Sequence, residues 1–428
     1  MERAIPNAEP ALATRVSISR RGRGVIAMLF ILGAISFTDK SITGYLSVPL
    51  IKEFHLSSIQ WGILSGSSFW LFSLSSLLIG AWSDRVGTTR VLSLLAVCWT
   101  IVQAATGFVT SFPLLLLSRV ALGMGEGPYT SISLTAVAKW LPYERRGLGF
   151  ALVSCGNLAG PAILTPFLII CASAYGWRAV FLLLGLCSLL WLVAWMFVGR
   201  EGPQHKEPIV EVALAPSSRQ RESWAAVLPP LFSRNILLIT LATFAAYWMQ
   251  ALSLSWLSVY LMNVRHLPFT LAAALSSVVI LSTCLVQVLL SLLADRWFRH
   301  TGTLRPYVSV LSMVLVFTAA LNYSAMLVAP LFLSILCLCI QPNGTVFPLA
   351  GTLITHIAPA ERRGTIQGAS IAIATIGSIL GPTLAGLLLQ SAGKNLAQGF
   401  QILYLISAVF LAVVSLTIFL FVRLKKGS

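Results

Sequence analysis

Charge is what this chain has least of. Only 10% of its 428 residues are Asp, Glu, Lys or Arg, against roughly a quarter in soluble domains. Together with 57% hydrophobic residues and a mean hydropathy of +0.87, that scarcity excludes a protein whose main solvent is water. Histidine is scarce too. All five (His55, His205, His266, His300, His356) fall in polar connections or at the ends of apolar runs, so neither a histidine proton relay nor a metal site is expected, and no cofactor is implied. The seven cysteines (Cys98, Cys155, Cys171, Cys187, Cys284, Cys337, Cys339) sit inside apolar runs without metal-ligand spacing. They read as small hydrophobes, with no disulfide framework. A phosphate-cradling loop and any catalytic constellation are missing as well, so the chain is not expected to be an enzyme.

What the chain does have is twelve apolar runs, the first at 24–46 and the last at 399–423. Each is long enough to cross roughly 30 Å of hydrocarbon, and backbone groups in lipid must be satisfied within the run, so each is read as a helix. The net charge of +16 forms no basic stripe with interleaved aromatics, and no nucleic-acid partner is expected. Its basic residues gather in alternate connections. Arg20, Arg21, Arg23, Arg85, Arg90, Arg145, Arg146, Arg296, Arg299, Arg305, Arg362, Arg363, Arg423, Lys425 and Lys426 fall on one side, while Lys52, Arg178, Arg265 and Lys394 fall on the other. By the positive-inside rule both termini are expected in the cytoplasm and the protein in the cell (inner) membrane. The predicted division is a tail over 1–23, six spans over 24–199, a polar linker over 200–233, six spans over 234–423 and a tail over 424–428. The first run is too long for a signal-peptide core and is expected to remain as a span.

The two sets of six spans repeat each other. Gly80, Asp84, Arg85, Gly87 and Arg90 after the second span match Ala294, Asp295, Arg296, Arg299 and Arg305 after the eighth. Pro142, Glu144, Arg145, Arg146 and Gly147 match Pro359, Glu361, Arg362, Arg363 and Gly364; Gly156, Gly160 and Pro161 match Gly377, Gly381 and Pro382. Six spans return each half to the same side, so the repeat is parallel.

The stretch Gly80-Ala-Trp-Ser-Asp84-Arg85-Val-Gly87-Thr-Thr-Arg90 resembles the loop signature between helices two and three of the major facilitator superfamily. That resemblance implies an all-α membrane protein of two six-helix bundles related by a pseudo-two-fold, which works by alternating access. It also implies a cytoplasmic gate at Asp84, Arg85 and Arg90, with Asp295 and Arg296 as the second copy. A narrower resemblance is to the anion:cation symporter family, which includes bacterial aldonate, hexuronate and glucarate carriers and animal sialic acid and vesicular glutamate carriers. Three stretches carry it: Asp39-Lys40 followed by Leu46 to Phe54, Ser118 to Pro128, and Trp140 to Gly147. Two positions depart from the family pattern. Lys40 stands where an arginine is common, so a bidentate fork becomes a point charge, and Phe72 stands where some sugar-acid carriers have tyrosine.

Independently of any family, four charges lie deep in apolar sequence: Asp39 and Lys40 in the first span, Arg119 and Glu126 in the fourth. Each costs roughly 3 kcal/mol to insert, so such residues persist when paired, hydrated or used. Arg119 and Glu126 are two turns apart on one helix face and present a cation and an acid to one cavity. A guanidinium matches a carboxylate. Charge logic and resemblance together make Arg119 and Lys40 the candidate anion-binding groups, Glu126 the candidate proton carrier and Asp39 a second one. The same four could instead form two structural ion pairs, Asp39 with Arg119 and Lys40 with Glu126, which substrate and proton could still open. Asn157, Tyr247, Gln250, Gln341 and Asn343 are further substrate-lining candidates, with interhelical hydrogen bonding or packing as the alternative.

The function expected is proton-coupled uptake of a small organic anion such as a sugar acid, a dicarboxylate or an aromatic acid, by a monomer in the lipid bilayer. The alternative is a proton-antiport exporter, since Gly156-Asn-Leu-Ala-Gly160-Pro161 resembles part of an exporter signature.

Overall fold

The computed structural model describes residues 19–141, 143–202, 231–327, 330–359, 363–393 and 395–422. The predicted linker over 200–233, apart from its ends, most of both tails and the Asp84 side chain lie outside the described residues. The first half comprises α1 (Arg20–Tyr45), α2 (Ser47–Glu53), α3 (Ser58–Ser67), α4 (Phe72–Val86), α5 (Thr88–Thr106), α6 (Phe112–Glu126), α7 (Tyr129–Trp140), α8 (Tyr143–Tyr175) and α9 (Trp177–Val198). The second comprises α10 (Arg234–Asn263), α11 (Phe269–Thr301), α12 (Arg305–Leu327), α13 (Leu331–Cys339), a 3-10 turn over Asn343–Thr345, α14 (Val346–Ile357), α15 (Arg363–Ala374), α16 (Ile376–Ser391) and α17 (Leu396–Phe421). Together they make twelve crossings in two bundles.

Eleven of these crossings are long and apolar enough to be recognised by length and hydropathy alone. The remaining one is the fourth, which the sequence suggested as a single span over 112–138. It is broken into α6 and α7 at Gly127-Pro128, because proline lacks an N–H and its ring crowds the carbonyl one turn back. Pro342 breaks the tenth crossing at the equivalent place, between α13 and α14. The second and eleventh crossings are also broken, at residues 68–71 and at Thr375.

Small residues set how closely helices approach in lipid. In the first half α8 packs on α1: a Cβ at Gly156 would lie 2.2 Å from the Phe30 carbonyl oxygen, and one at Gly160 would lie 2.0 Å from that of Ala34. The second half repeats the contact, with Gly377 against Phe244 and Gly381 against Trp248. The repeated glycines are therefore packing positions, and the copies superpose crossings one and five on seven and eleven.

An even number of crossings puts both chain ends on one face of the bundle, the terminal face. The halves meet at the opposite, far face. There a Cβ at Gly44 would lie 1.7 Å from the Leu254 carbonyl oxygen, and one at Gly62 would lie 2.3 Å from that of Pro382. The described hydrogen bonds between halves run from the middle to this face. Trp61 Nε1 donates to the Ser255 carbonyl at 3.1 Å, the Ile59 amide to Gln390, Ser277 to the Tyr45 hydroxyl, and Ser73 and Thr375 share a bond of 2.7 Å.

Gly62→Val is expected to wedge this face apart. Overpacking costs about 1–3 kcal/mol, a roughly ten-fold to hundred-fold change in how often the face opens. Labelling of a Ser65→Cys probe by an impermeant maleimide added at the far face should rise accordingly; unchanged labelling would show that the contact does not hold the face shut.

Candidate functional site

α1 carries Asp39, Lys40 and, one turn beyond Asp39, Thr43. α6 carries Arg119 and Glu126 toward the same place. Arg119 Nη1 is 3.7 Å from Asp39 Oδ1, and Lys40 Nζ is 3.4 Å from Glu126 Oε2. Both ion pairs foreseen as an alternative are thus formed, and all four charges come together at the middle of the first half. Arg119, Asp39 and Glu126 are buried, whereas Lys40 keeps 18% of its side chain exposed. The contact with solvent in this cluster is made through Lys40.

The pairs are loosely made. Asp39 Oδ1 and both Glu126 oxygens are buried without a hydrogen-bond donor. Arg119 spends its N–H groups on neutral hydroxyls instead: Nη2 on Thr106 Oγ1 at 3.0 Å, Nη1 on Thr43 Oγ1 at 3.3 Å and Nε on Ser118 Oγ at 3.5 Å. Its guanidinium also lies 4.8 Å from the centre of the Phe181 ring. Lys40 Nζ lies 4.8 Å from the centres of both Phe37 and Phe72. Neutral hydroxyls are weaker partners for a guanidinium than a carboxylate, so the fork of Arg119 is held ready with stronger bonds still to make.

The quartet borders a small cavity between the halves. Water-sized spheres can centre in about 40 Å³ of it, room for a few waters. Ser65, Ser68, Phe69 and Leu122 line it from the first half, and Ala251, Leu254 and Ser255 from α10. Among the described residues lining the cavity, the second half offers no charge in return. Counting on from the Phe30/Phe244 and Pro128/Pro342 equivalences, Asp39, Lys40, Arg119 and Glu126 correspond to Ser253, Leu254, Leu333 and Ile340. Ionic chemistry therefore belongs to one half, and the other supplies a neutral wall.

α6 is pressed against the joint between α3 and α4. A Cβ at Gly123 would lie 1.8 Å from the Ser68 carbonyl oxygen, and one at Gly127 would lie 2.0 Å from that of Phe72. Glycines are required there because backbone meets backbone.

The other candidates are placed elsewhere. Asn157 on α8 accepts at 3.4 Å from the Tyr129 hydroxyl, which also donates to the Leu29 carbonyl, so it joins α1, α7 and α8 outside the cavity lining. Tyr247 stands edge-on to Phe347 with centroids 4.8 Å apart. Gln250 is half-buried on α10. Gln341 donates to Asn322 Oδ1 at 2.8 Å, and Asn343 is buried in the 3-10 turn. None of these five is among the residues lining the cavity. Thr43, Thr106 and Phe181, which do touch Arg119, were not anticipated. Thr43 could have been found from its spacing, since it follows Asp39 by one turn on an otherwise apolar face; nothing marks Thr106 or Phe181 in the sequence.

At the terminal face Arg85, Arg90 and Arg296 are exposed, and among the described residues no ion pair holds them. Asp295 accepts from the Tyr307 hydroxyl at 2.7 Å. The charge that does organise this end is Glu201, just beyond α9. It accepts from the Thr88 and Thr89 amides at 3.3 and 3.1 Å and pairs with Lys139, tying the starts of α5 and the linker to the end of α7. A carboxylate at a helix N-terminus complements the free amides and dipole there. Burial alone would push its carboxyl up, but Lys139 and the Thr89 and Thr88 amides outweigh burial and hold it at about 2. A lowered value means stability present above the ordinary 4.5 and lost as pH falls toward 2. Glu201→Gln should lower the unfolding midpoint at neutral pH, and the gap to the parent should close as the pH is taken from 4.5 toward 2; a gap independent of pH would contradict this.

Comparison with known proteins places the architecture. The sequence model of the Major Facilitator Superfamily matches residues 29–342 and 305–428. A probable sulfoacetate transporter of Cupriavidus necator is 27% identical over 315 residues, 72% of this chain and 71% of that one. The hexuronate transporter of Bacillus subtilis is 30% identical over 247 residues, 57% of each chain. Among solved structures, a bacterial homologue of the human lysosomal transporter Spinster, in an inward-facing and unoccupied conformation, aligns with a TM-score of 0.79 at 19% identity, covering 94% of this chain and 97% of that one. A D-xylose–proton symporter aligns with a TM-score of 0.70 at 16% identity, covering 94% and 98%. The fold is common to all of these, and the curated relatives are carriers of organic anions. With twelve crossings, a parallel internal repeat and the family's sequence pattern along nearly its whole length, the chain belongs to the Major Facilitator Superfamily and is a multi-pass membrane transporter.

Proposed function

We propose that the chain carries a small organic anion into the cell together with a proton, by alternating access, in the cell membrane with both termini cytoplasmic. The observation that carries this reading is the quartet itself: two cations and two carboxylates, ionically balanced, with Arg119, Asp39 and Glu126 buried and carboxylate oxygens of both acids short of donors. A lone carboxylate entering beside it would leave one negative charge uncompensated in low dielectric, at a cost of several kcal/mol. A proton taken up with the anion removes that cost. Arg119 and Lys40 bind the anion, Glu126 takes the proton, and Asp39 takes a second one when the substrate is a dianion.

The far-face closure supports a state open toward the terminal face, where Arg85, Arg90 and Arg296 are exposed; Asp84, Arg85, Arg90, Asp295 and Arg296 form the gate that closes this face when the halves rock. Asn157, Tyr247, Gln250, Gln341 and Asn343 belong to the wider cavity that rocking exposes. Relatives named as carriers of sulfoacetate, hexuronate and galactarate or D-glucarate support an acid as the substrate. The glycines that suggested an exporter pack the same way in both halves, so they carry no information about direction.

The test is uptake into proteoliposomes from a radiolabelled panel of sugar acids, dicarboxylates, aromatic carboxylates and a sulfonated acid, under an inward proton gradient. Accumulation of at least one acid that collapses with a protonophore is expected. Outward movement of cationic dyes with no acid uptake would overturn the reading.

A further inference from the structure

The joint between α3 and α4 touches everything that has to move. Its residues 68–71 lie in a broken stretch of the second crossing. Ser68 and Phe69 line the cavity. The carbonyls of Ser68 in the joint and of Phe72 just after it are the ones that Gly123 of the quartet helix α6 and Gly127 at its end press against. The Phe72 ring faces Lys40 Nζ at 4.8 Å. One residue on, Ser73 shares its 2.7 Å bond with Thr375, at the break between α15 and α16 in the other half. The first turn of α4, directly after the break in one half, thus meets the break in the other, and the residue beside the meeting point lies against the cation that pairs with Glu126.

Resting on the proton-coupled reading above, we infer that Phe72 is the positioning residue that transmits the state of the Lys40–Glu126 pair to the contact between the halves. While Glu126 is ionised, Lys40 is held between it and the Phe37 and Phe72 rings, and the joint is seated on α6. When Glu126 is neutral, Lys40 loses its anion and shifts; Phe72 follows because an ammonium is attracted to a ring face. Ser73 moves with it, and the Ser73–Thr375 bond is released. The other charges facing this pair are Asp39 on α1 and Arg119 on α6; α3 and α10 present neutral side chains to the cavity, and α5 sets Gln103 against Asp39 and Trp99 against Gly125. Phe37 makes the same kind of contact with Lys40, but it lies inside the unbroken α1 and reaches no inter-half bond. The two phenyl rings are therefore separable: one serves Lys40 alone, the other serves Lys40 and the joint.

The test needs no substrate, so it is independent of which anion is carried. Spin labels at Arg21→Cys and His300→Cys, exposed sites near the terminal face in opposite halves, report the spacing of the halves by pulsed electron resonance in lipid nanodiscs, on a background with the native cysteines replaced. The parent is expected to redistribute between two distances from pH 8 to pH 5, with Glu126→Gln fixed in the low-pH distribution. Phe72→Leu is expected to lose most of the redistribution, Phe72→Tyr to restore it, and Phe37→Leu to keep at least half. An equal loss in Phe37→Leu and Phe72→Leu would overturn the inference, because the ring would then serve only the charge of Lys40. Undiminished redistribution in Phe72→Leu, or none in the parent, would overturn it as well. Phe72→Trp, which keeps a ring face and adds bulk, replaces the leucine variant if that variant does not fold, and is expected to keep the redistribution but move its midpoint; a midpoint equal to the parent's would count against the inference.

Discussion

Arg119→Ala is expected to lower the initial rate of anion uptake at least about a hundred-fold, the largest effect of any single change. Two losses coincide. Arg119 is the buried fork whose N–H groups are spent on Thr43, Thr106 and Ser118 hydroxyls, so it is the group best placed to exchange weak partners for a carboxylate. Its removal also leaves Asp39 buried without a counter-charge, and breaking such a pair costs about 3–5 kcal/mol. Because the alanine variant is exposed to misfolding, Arg119→Lys is the better-behaved companion. It keeps the charge facing Asp39 and gives up the fork, and a loss of about ten-fold follows from one strong bidentate contact reduced to a point charge. Rates are compared per molecule of monodisperse protein in proteoliposomes. Uptake within about two-fold of the parent in Arg119→Lys would show that fork geometry is not what binds the anion.

Glu126→Gln is expected to separate movement from accumulation. Glutamine imitates the neutral acid in shape, and it leaves the quartet with one positive charge in excess, which an anion can always neutralise. Exchange of internal for external anion should therefore persist, while concentration against a gradient disappears. The effect is large in absolute terms. One pH unit stores about 1.4 kcal/mol per proton, enough for about ten-fold accumulation when one proton moves with one monoanion. The variant should stop at equal concentrations inside and out under the same gradient. Accumulation equal to the parent's would move the proton to Asp39 and leave Glu126 as a structural partner of Lys40.

The sequence carried the fold because lipid leaves few options. Runs of about 20 apolar residues have to be helices, and the repeat of Gly156, Gly160 and Pro161 as Gly377, Gly381 and Pro382 showed two halves before any packing was known. The quartet was legible for the same reason, since Asp39, Lys40, Arg119 and Glu126 are isolated charges in hydrocarbon-length runs. What surrounds them was not. Thr106 and Phe181 are common residues at ordinary helix positions, and only folding brings them to Arg119. The break at Pro128 is signalled in the sequence by a proline inside an apolar run, and the significance of its copy at Pro342 follows only from the paired packing of the halves. Glu201 falls at the start of the polar linker predicted over 200–233; its placement over the start of α5 depends on where α9 ends and on Lys139 at the end of α7. Asn157, Gln341 and Asn343 stand out in apolar sequence; here Asn157 and Gln341 bond to neighbouring helices, and none of the three lines the small cavity of this arrangement, closed at its far face.

The claim on which the rest depends is that a neutral quartet takes up proton and anion together. The most direct measurement is proton entry itself, followed with a pH-sensitive dye sealed inside proteoliposomes while a transported acid is added outside with no imposed gradient. The account predicts acidification of the lumen in step with uptake for the parent, and uptake-linked exchange without acidification for Glu126→Gln. Anion entry in the parent with no change in internal pH would contradict it.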